Sequence, residues 1–598
     1  MRAAVVQFRP DKGEYARNLE RLGEVFRDAA QLEPRPELLI LPESALTGYF
    51  LEGGTQELAL TAEQLFADLA RVHGASGAPP VDIALGFYEV WRNHLHNSAM
   101  YATLGGTDAG VRHVHRKVFL PTYGVFDEER FVEPGRQVRA FDTRWGRCAL
   151  LVCEDAWHSL TPTIAALDGA QVILVPSATP ARGLLPREHG DSRPTNLDRW
   201  DRLAQGIAEE HGIYVVVSHL VGFEGGKGFV GGSIVAGPRG NPIAHGPLFE
   251  PAIVPFDLNF GEITRARADT PLLSDLQVRL PHLMESLGQA GHEPRAVSLE
   301  PEALGSKPTA HGSRPTANGL APSASSGDPL RIDPELTRQW LVQFIRDEIT
   351  RRRGFKKVVI GLSGGVDSAL VTFLAAEALG PENVYAIRMP YRSSSPESLA
   401  HAQLVIDQLK VQSRTVEITA GVDGIVGAIG GDSSPSRRGN VMARIRMITL
   451  FDLSTELNAL PLGTGNKTER LFGYFTWHAD DSPPVNPIGD LFKSQVWALA
   501  RHIGVPEVIV TKPATADLIQ GQTDEGDFGI SYPRADVILH WLLQGYHAPQ
   551  IEPLGFSAAE IALVEKRLES THWKRRLPTV AMVSQTAIGE YYLRPVDY

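Results

Sequence analysis

Hydrophobic positions in the first 275 residues alternate between short unbroken runs and helical spacing. The unbroken runs predict buried strands, and the helically spaced segments between them predict covering helices. The clearest strand predictions cover residues 38–41, 81–86, 148–153, 172–175 and 214–218. Many short strands with helices between them are typical of a layered α/β fold. We therefore predict an α/β sandwich over residues 1–275.

The composition changes after this half. Pro, Ala, Ser, Gly and His dominate residues 301–328, which offer little apolar surface to bury. This composition predicts a largely flexible linker, which we place at 276–330. Strand and helix patterns then alternate again to about Val510, which predicts a second α/β domain over 331–598, with a doubly wound parallel sheet.

One apolar run of the second half ends in a glycine turn. Residues 358–362 predict a buried strand, 363–365 a turn, and 367–379 a helix. Glycines let the backbone approach a ligand, and the first free N–H groups of the helix point at it, so this pattern favours an anion site. The hydroxyls of Ser363 and Ser368 add donors. No Gly-Lys-Ser/Thr closes the turn, so it is not a Walker loop, and two adjacent glycines alone are as compatible with an ordinary turn.

Three residues of the first half stand at or just beyond predicted strand ends: Glu43, Lys117 and Cys153. A cysteine nucleophile needs a base, and a nearby cation lowers its pKa and stabilises an oxyanion. Together the three residues supply these functions. Taken singly, Cys153 could be a small core residue, which is the more common fate of a lone cysteine, and Lys117 could be a surface charge. We assign Cys148 to the core.

Composition excludes several classes of function. The net charge is −12 and the pI is near 5.9, which argues against nucleic acid as the main partner, and we expect the basic stretches 351–353 and 356–357 to be a solvated helix end. Two cysteines form no disulfide framework. A strand is predicted from the first residues, which leaves no room for a signal peptide, and no apolar run could span a bilayer. We expect a cytoplasmic protein without a membrane partner.

The string Ser363-Gly-Gly-Val-Asp-Ser368 resembles the pyrophosphate loop of the ATP pyrophosphatase superfamily. The resemblance implies an adenine nucleotide α-hydrolase-like domain that cleaves ATP between its α- and β-phosphates and activates a carboxylate as an adenylate. It assigns ATP binding to Gly361, Ser363, Gly364, Gly365, Val366, Asp367 and Ser368.

Three blocks of the first half resemble the signatures of the nitrilase superfamily. They begin at Leu41 (Leu-Pro-Glu-Ser), His115 (His-Arg-Lys-Val-Phe-Leu-Pro-Thr-Tyr-Gly-Val-Phe-Asp-Glu) and Cys153 (Cys-Glu-Asp-Ala-Trp). The resemblance implies a C–N hydrolase that works through a thioester, with Glu43, Lys117 and Cys153 as its catalytic triad. It assigns glutamine binding to Tyr123, Ser177 and Thr179. Residues 225–233 look more like the general amidase pattern, so glutamine specificity stays open.

Further segments of the second half resemble the synthetase domain of the NAD synthetases: 440–446, 463–469, 487–493 and 572–575. Ala479 stands where the Tyr-Phe-Thr segment of this family usually has a glycine. Asn440 is expected to cap a helix. The resemblance adds Thr464 and Lys493 to the ATP site and assigns magnesium to Asp367 and Glu469. It assigns the site for deamido-NAD to Asn440, Glu469, Tyr474, Phe475, Thr476, Trp477 and Lys574.

A nitrilase-like half followed by this half resembles the glutamine-dependent NAD synthetase family. The resemblance implies ATP-dependent amidation of nicotinic acid adenine dinucleotide (deamido-NAD) through an acyl adenylate, with ATP and Mg²⁺, release of AMP, pyrophosphate and glutamate, and a homo-oligomer. We also expect ammonia to pass internally between the two sites. Two alternatives remain open: an ammonia-dependent synthetase with an inactive or differently specific amidase half, and a tRNA-modifying enzyme.

Overall fold

The computed structural model describes residues 1–51, 54–186, 192–290, 328–430, 434–515 and 523–576. Within these ranges the strands of the first half are β1 (Arg2–Gln7), β2 (Leu38–Ile40), β3 (Val81–Trp91), β4 (His94–Leu104), β5 (Gly110–Arg116), β6 (Ala140–Thr143), β7 (Gly146–Leu150), β8 (Val172–Ser177), β9 (Tyr214–His219), β10 (Val221–Glu224), β11 (Lys227–Val230), β12 (Ile234–Ala236), β13 (Pro242–His245) and β14 (Ala252–Asp257). Its helices are α1 (Tyr15–Ala30), α2 (Thr55–Leu58), α3 (Ala62–Ser76), α4 (Leu160–Leu167), α5 (Thr195–His211), α6 (Phe260–Asp269) and α7 (Leu272–Ala290).

In the described part of the first half, two six-stranded mixed sheets pack face to face. Their orders are β14-β1-β2-β3-β4-β5 and β13-β12-β9-β8-β7-β6. Val5 and Tyr101 of the first sheet share one buried core with Ile173 and Val216 of the second. Helices α1 and α3 cover the outer face of the first sheet, and α5 covers the second. The predicted α/β sandwich is confirmed, although the strand predicted at 148–153 ends at Leu150.

The second half contains, in its described ranges, the strands β15 (Lys357–Gly361), β16 (Val384–Arg388), β17 (Gln412–Thr415) and β18 (Ala459–Pro461). Its helices are α8 (Pro334–Arg346), α9 (Val366–Leu379), α10 (Pro396–Leu409), α11 (Thr419–Ile429), α12 (Pro435–Leu457), α13 (Lys467–Phe472), α14 (Lys493–His502), α15 (Glu507–Val510), α16 (Asp524–Phe528), α17 (Tyr532–Leu543), α18 (Ala548–Ile551) and α19 (Ala558–Ser570).

These four strands form a parallel sheet in the order β17-β16-β15-β18. Val358 and Ile360 of β15 pack with α8, α9 and α14, whereas Val359 between them packs with α11 and α12. Alternate side chains of one strand thus meet helices on opposite faces, which confirms the predicted doubly wound sheet.

Two local expectations are wrong. Asn440 does not cap a helix, because α12 begins earlier, at Pro435, where the Ser434 side chain accepts from the backbone N–H of Arg437 at 3.3 Å. The stretch 351–353 is not a solvated helix end. Arg351 forms a 2.7 Å ion pair with Asp11 of the first half, and Arg352 and Arg353 pair with the buried Glu348, so all three cations are held in ion pairs.

Helix α8 joins the two halves. The Trp340 ring meets the rings of Phe223 and Phe249 edge-on, at centroid distances of 6.0 and 6.3 Å. At the start of this helix the backbone N–H of Asp333 donates to the carbonyl of Leu184 at 2.7 Å. Helix α8 also packs on α9, so it connects the first half to the helix that follows the predicted nucleotide loop.

The predicted linker falls largely outside the description. Helix α7 extends to Ala290, so the first part of the segment 276–330 is helical. Residues 291–327 lie outside the described residues, and the domain boundaries therefore stay predictions. Among the helices that the structure describes, none combines the length and apolarity needed to cross a membrane.

Candidate active sites

Glu43 and Lys117 meet in the buried core of the first half. Glu43 follows β2, Lys117 follows β5, and neither side chain has measurable solvent exposure. The Lys117 Nζ donates to Glu43 Oε1 at 2.9 Å and to Glu128 Oε1 at 2.8 Å. A buried ammonium is stable only when paired, and two carboxylates hold this one in place.

Glu128 and Asn97 complete this cluster, and sequence reasoning gave neither a role. The Asn97 side-chain amide donates to Glu43 at 2.7 Å and to Glu128 at 3.2 Å. Tyr49 donates its hydroxyl to Glu128. The sequence did contain a signal for Glu128, because it closes the block that begins at His115.

Cys153 begins a 3₁₀ turn, Cys153–Trp157, directly beyond β7, with its side chain 6% exposed. Its φ is 45°, a left-handed conformation that is strained for a residue other than glycine and is common at functional sites. Ser177 donates its hydroxyl to Cys153 Sγ at 3.4 Å, and the Thr179 hydroxyl lies 3.8 Å from the sulfur. The structure therefore brings both predicted glutamine-loop residues to the thiol.

The end of β8 links the Cys153 thiol to Glu43 through hydrogen bonds. The backbone N–H of Ala178, between Ser177 and Thr179, donates to Glu43 Oε2 at 2.8 Å. Glu43 thus contacts the ammonium of Lys117 through one oxygen and the segment beside Cys153 through the other. Three residues from three strand ends are fixed in one pocket, as the sequence predicted.

The buried Asp155 holds the catalytic turn against the strand that positions Lys117. Its carboxylate accepts from the backbone N–H groups of Val118 and Phe119, at 2.9 and 3.0 Å, and from His115 Nε2 at 2.8 Å. It also accepts from the N–H of Val152 at 3.0 Å. Removing this carboxylate would release both sides of the pocket together.

Burial and charge set the protonation states of this pocket. Burial raises the pKa of the Cys153 thiol, and the charge of Glu43 raises it further. Burial acts to lower the pKa of Lys117, but Glu128 and Glu43 raise it well above its ordinary value. Burial raises the pKa of Glu128 to about 7. The resting pocket therefore contains a neutral thiol beside a charged ammonium, and the thiol needs a base to react.

At the mouth of the pocket, Tyr123 is 56% exposed, and its hydroxyl donates to both oxygens of Glu154 at 3.0 and 2.9 Å. The Arg182 guanidinium lies 6.0 Å from the Phe126 ring centroid and, among the described residues, pairs with no carboxylate. Glu154 and Arg182 thus both lie close to the segment 123–126, Glu154 through Tyr123 and Arg182 through Phe126.

In the second half, the glycine turn joins β15 to α9 as predicted. Gly364 has a φ of +80°, and a Cβ atom there would lie 2.1 Å from the Ser398 carbonyl oxygen, so only glycine fits. The hydroxyls of Ser363 and Ser368 lie 3.0 Å apart, and Ser368 accepts from the N–H of Ser363 at 3.2 Å. The turn is pre-formed, and Ser363, Gly365 and Ser368 line a cavity.

Lys493 joins three acidic side chains at the edge of this cavity. It is 2% exposed, forms an ion pair with Asp367 and lies 3.3 Å from Glu469. Tyr532 donates to Asp524 at 2.9 Å and to Glu469 at 3.2 Å. One oxygen of Asp524, Oδ1, is buried without a partner in the described structure.

Burial raises the pKa of Glu469 to about 7, while the nearby Lys493 acts to lower it. Burial also raises the pKa of Asp524. For Lys493, burial acts to lower the pKa, but Asp367 and Glu469 raise it above its ordinary value. The cluster therefore contains one ammonium that stays charged, that of Lys493, and more carboxylates than cations.

A cavity of about 590 Å³ opens beside the glycine turn and the Lys493 cluster, large enough for a substantial ligand. Gly364 and Asn440 do not line it, although Asn440 accepts from the Thr476 hydroxyl at 3.1 Å. Lys574 donates to the carbonyls of Gly473 and Phe475. The predicted residues that do line the cavity are Gly361, Ser363, Gly365, Val366, Asp367, Ser368, Thr464, Glu469, Tyr474, Phe475, Thr476, Trp477, Lys493 and Lys574.

Comparison with known proteins identifies both halves. The NAD synthase family model matches residues 337–578. The NH3-dependent NAD(+) synthetase of Trichlorobacter lovleyi is 48% identical over 270 residues, which is 45% of this chain and 98% of the relative. The chain belongs to the NAD synthase family. This confirms the predicted enzyme class, a ligase that forms NAD.

The NAD synthase half follows a second recognisable unit, because the carbon-nitrogen hydrolase model matches residues 2–268. The predicted fusion is thereby confirmed. The enzyme named NH3-dependent NAD(+) synthetase in Chlorobaculum parvum, 45% identical over 261 residues, covers 44% of the chain and matches over 94% of its own length. These curated relatives correspond to the NAD synthase half alone.

Solved structures of full-length NAD synthases share the whole fold. The glutamine-dependent NAD+ synthetase of Acinetobacter baumannii, solved with ADP, covers 100% of this chain and 98% of its own, with a TM-score of 0.67 and 23% identity. The glutamine-dependent enzyme of Cytophaga hutchinsonii covers 96% and 93%, with a TM-score of 0.66 and 16% identity. At these identities the likeness establishes the fold of both halves.

Proposed function

We propose that this chain is a glutamine-hydrolysing NAD synthetase that converts deamido-NAD to NAD at the expense of ATP. The observation behind this proposal is the presence of two assembled sites on one chain. Cys153 has a base and a cation within one pocket, and Lys493 stands beside a glycine turn that opens on a large cavity. An inactive amidase half would have no physical reason to keep a buried ammonium between two carboxylates.

In the first site, Glu43 takes the proton of the Cys153 thiol as the sulfur attacks the side-chain amide carbon of glutamine. The charge on the tetrahedral oxygen is stabilised by the Lys117 ammonium. The C–N bond then breaks, the proton returns to the departing nitrogen, and ammonia leaves a glutamyl thioester. Water, deprotonated by Glu43, attacks the thioester and releases glutamate and the thiol.

The entrance of this pocket suits an α-amino acid amide. Glutamine presents an ammonium and a carboxylate at the end opposite its reacting amide. Glu154, held by Tyr123, offers a carboxylate for the ammonium, and the unpaired Arg182 offers a guanidinium for the carboxylate. Ser177 and Thr179 line the deeper part, next to the sulfur.

In the second site, a carboxylate oxygen of deamido-NAD attacks the α-phosphorus of ATP, and pyrophosphate leaves. The N–H groups and hydroxyls of the glycine turn bind the phosphates, and Lys493 offsets the charge that develops on them. Ammonia attacks the carbonyl carbon of the acyl adenylate, the C–O bond to phosphate breaks, and NAD and AMP are formed after loss of a proton.

Deamido-NAD would occupy the side of the cavity formed by Glu469, the aromatic segment 474–477 and Lys574. Tyr474, Phe475 and Trp477 offer ring faces and edges for the planar groups of the dinucleotide. The Lys574 ammonium contacts backbone carbonyls there and adds a positive charge for its phosphates. Asn440 supports this side through Thr476.

The donor chemistry of the Lys493 cluster fits Mg²⁺. Among the described residues, no three His, Cys, Asp or Glu side chains are grouped so as to hold a metal ion unaided. Mg²⁺ is commonly bound through one or two carboxylates together with substrate phosphates, and Asp367 and Glu469 provide two, with Asp524 bearing an unpartnered oxygen nearby. A bound Mg²⁺ would neutralise phosphate charge.

We further propose a cytoplasmic homo-oligomer. Leu160 and Ile164 of α4 and Met284 and Leu287 of α7 are each more than 40% exposed, and the two helices contact one another. A joint apolar surface of this kind favours self-association. Sedimentation at increasing protein concentration tests it.

Product analysis tests the proposed function. The purified chain is incubated with ATP, Mg²⁺ and deamido-NAD, and with either glutamine or ammonium chloride. We expect NAD, AMP and pyrophosphate from both, with one glutamate per NAD when glutamine is the donor. NAD formed with ammonium but not with glutamine would support the ammonia-dependent alternative. Binding of tRNA in a shift assay would support the tRNA-modifying enzyme.

A further inference from the structure

A second cleft, of about 400 Å³, lies where the two halves of the chain meet, and it shares no lining residue with the nucleotide cavity. Its volume is within the range of small-molecule sites. Most of its lining comes from the end of α8, from one π turn (Asp347–Arg351) that follows it, and from the end of α9. Arg9, directly beyond β1, contributes from the first half.

The charge of this cleft is positive. Arg9, Arg346, Arg351 and Lys356 face it, against the single carboxylate of Asp347. The Asp347 side chain is 7% exposed, and its Oδ1 lies 3.8 Å from Arg9 and 3.5 Å from Arg351 without a hydrogen bond. Asp11, which lies outside the lining, pairs with Arg351 at 2.7 Å, so two carboxylates stand against four cations and the cleft has an excess of about two positive charges.

The cations retain unused donors. Arg346 directs Nε and Nη2 to the carbonyls of Ala378 and Glu377 at the end of α9, which leaves Nη1 unbonded. The Nε of Arg9 is buried without a partner, and within the described ranges Lys356 makes no ion pair or hydrogen bond. Of these donors, that of Arg9 is buried, where a missing partner is costly, whereas the exposed Lys356 is accessible to an anion.

The neighbouring cations affect the pKa of Arg9. Burial lowers its pKa, and the charges of Arg351 and Arg21 lower it further, against the opposing effect of Asp347. A local excess of positive charge of this kind attracts a dianion. Guanidinium groups and ammonium groups are the usual protein partners of phosphate, because they combine charge with several donors.

We propose that this cleft binds a phosphate monoester of up to mononucleotide size. Its dianionic phosphate would lie among Arg9, Arg351 and Lys356, and the remainder of the molecule would contact Gln343 and Asn383. Arg9 belongs to the first half and the other cations to the second, and the Arg351–Asp11 ion pair crosses the same junction. A bound dianion therefore fastens the amidase half to the synthetase half.

Equilibrium binding to the full chain, with inorganic phosphate, AMP and adenosine as separate probes, tests this site. Lys356→Gln removes an exposed cation of the cleft. Lys357→Gln is the matched control, because the neighbouring Lys357 ammonium lies 5.6 Å from the Tyr385 ring centroid, outside the cleft lining. Thermal melting of both variants should match the wild type.

We expect Lys356→Gln to weaken one class of phosphate and AMP binding at least tenfold and Lys357→Gln to leave it unchanged. Adenosine should not compete for that class, and high salt should weaken it. The initial rate of NAD formation, measured without added phosphate or AMP, should be the same in Lys356→Gln and the wild type. Equal phosphate and AMP affinity in the wild type and Lys356→Gln would overturn the proposal, and so would competition by adenosine as strong as that by AMP.

Discussion

The backbone N–H of Asp333 donates to the carbonyl oxygen of Leu184 at 2.7 Å, which ties the start of α8 to a loop of the amidase half. The same loop begins at Ala178, whose N–H binds Glu43. The side chain of Asp333 accepts from the N–H of Leu336 at 2.9 Å and so caps α8. Asp333 therefore caps α8 and, through its backbone N–H, restrains the loop of the amidase half that begins at Ala178, between the two residues that contact Cys153.

We predict that Asp333→Ala destabilises the protein by about 1 kcal/mol, the usual cost of a lost N-cap. It should also raise the KM for glutamine more than the KM for deamido-NAD, because the lost carboxylate also accepts from the hydroxyl of Ser192 in the amidase half. Asp333→Asn is the control, since its amide oxygen still caps the helix. Thermal melting and initial rates measure both effects, and equal changes in the two KM values would contradict the prediction.

We predict that Cys153→Ala abolishes NAD formation from glutamine and leaves formation from ammonium intact. The thiol is the attacking atom of the first site, whereas the Lys493 cluster lies in the other half. Cys148→Ala is the matched control, because Cys148 is a buried core residue of β7. NAD assays with each nitrogen source separate the outcomes, and retained glutamine use by Cys153→Ala would refute Cys153 as the nucleophile.

Glu128→Gln tests the electrostatics of the pocket. With the pKa of Glu128 near 7, lowering the pH through 7 protonates this carboxyl and leaves Glu43 as the only charged partner of Lys117. A carboxylate that alone holds an ammonium is a weaker base. Glutamine hydrolysis by the wild type should thus fall as the pH drops from 8 to 6.

Glu128→Gln copies the protonated form, so it should be slower at pH 8, but by less than the roughly hundredfold loss expected if Glu43, the general base itself, were removed. Its own rate should vary little between pH 6 and 8. Glutaminase assays across this range measure both profiles. A variant with the full wild-type pH dependence would show that another group titrates.

Local patterns predicted the fold and much of both sites because the chemistry stands at strand ends. Glu43 and the glycine turn follow short apolar runs, whereas Lys117 follows the mostly polar β5 and was recognised from the block that begins at His115. Asn97 was missed because it lies inside β4, where an asparagine has no sequence signal of its own. The basic stretch 351–353 was misjudged because its partner Asp11 is more than 300 residues away in the chain.

The glycine turn and the adjacent Asp367 should be needed for adenylation but not for glutamine hydrolysis. We predict that Asp367→Ala and Ser363→Ala each abolish NAD formation from both glutamine and ammonium and spare glutamine hydrolysis at least in part. Asp452→Ala, on the exposed face of α12, is the control. Separate assays of NAD and glutamate distinguish the half-reactions, and normal NAD synthesis in either variant would remove the nucleotide assignment.

Ammonia transfer between the sites is the last prediction. Ammonia released beside Cys153 into water would be protonated at neutral pH, and ammonium has no lone pair with which to attack the acyl adenylate. Both sites occupy one chain whose halves pack through Trp340 and Asp333, and transfer inside the protein would keep the nitrogen unprotonated. We therefore expect unlabelled glutamine to supply nearly all of the amide nitrogen of NAD, even against a moderate excess of ¹⁵N-labelled ammonium. Mass spectrometry of the NAD measures the label. Incorporation in proportion to the share of ¹⁵N in free ammonia would show that the nitrogen passes through solvent.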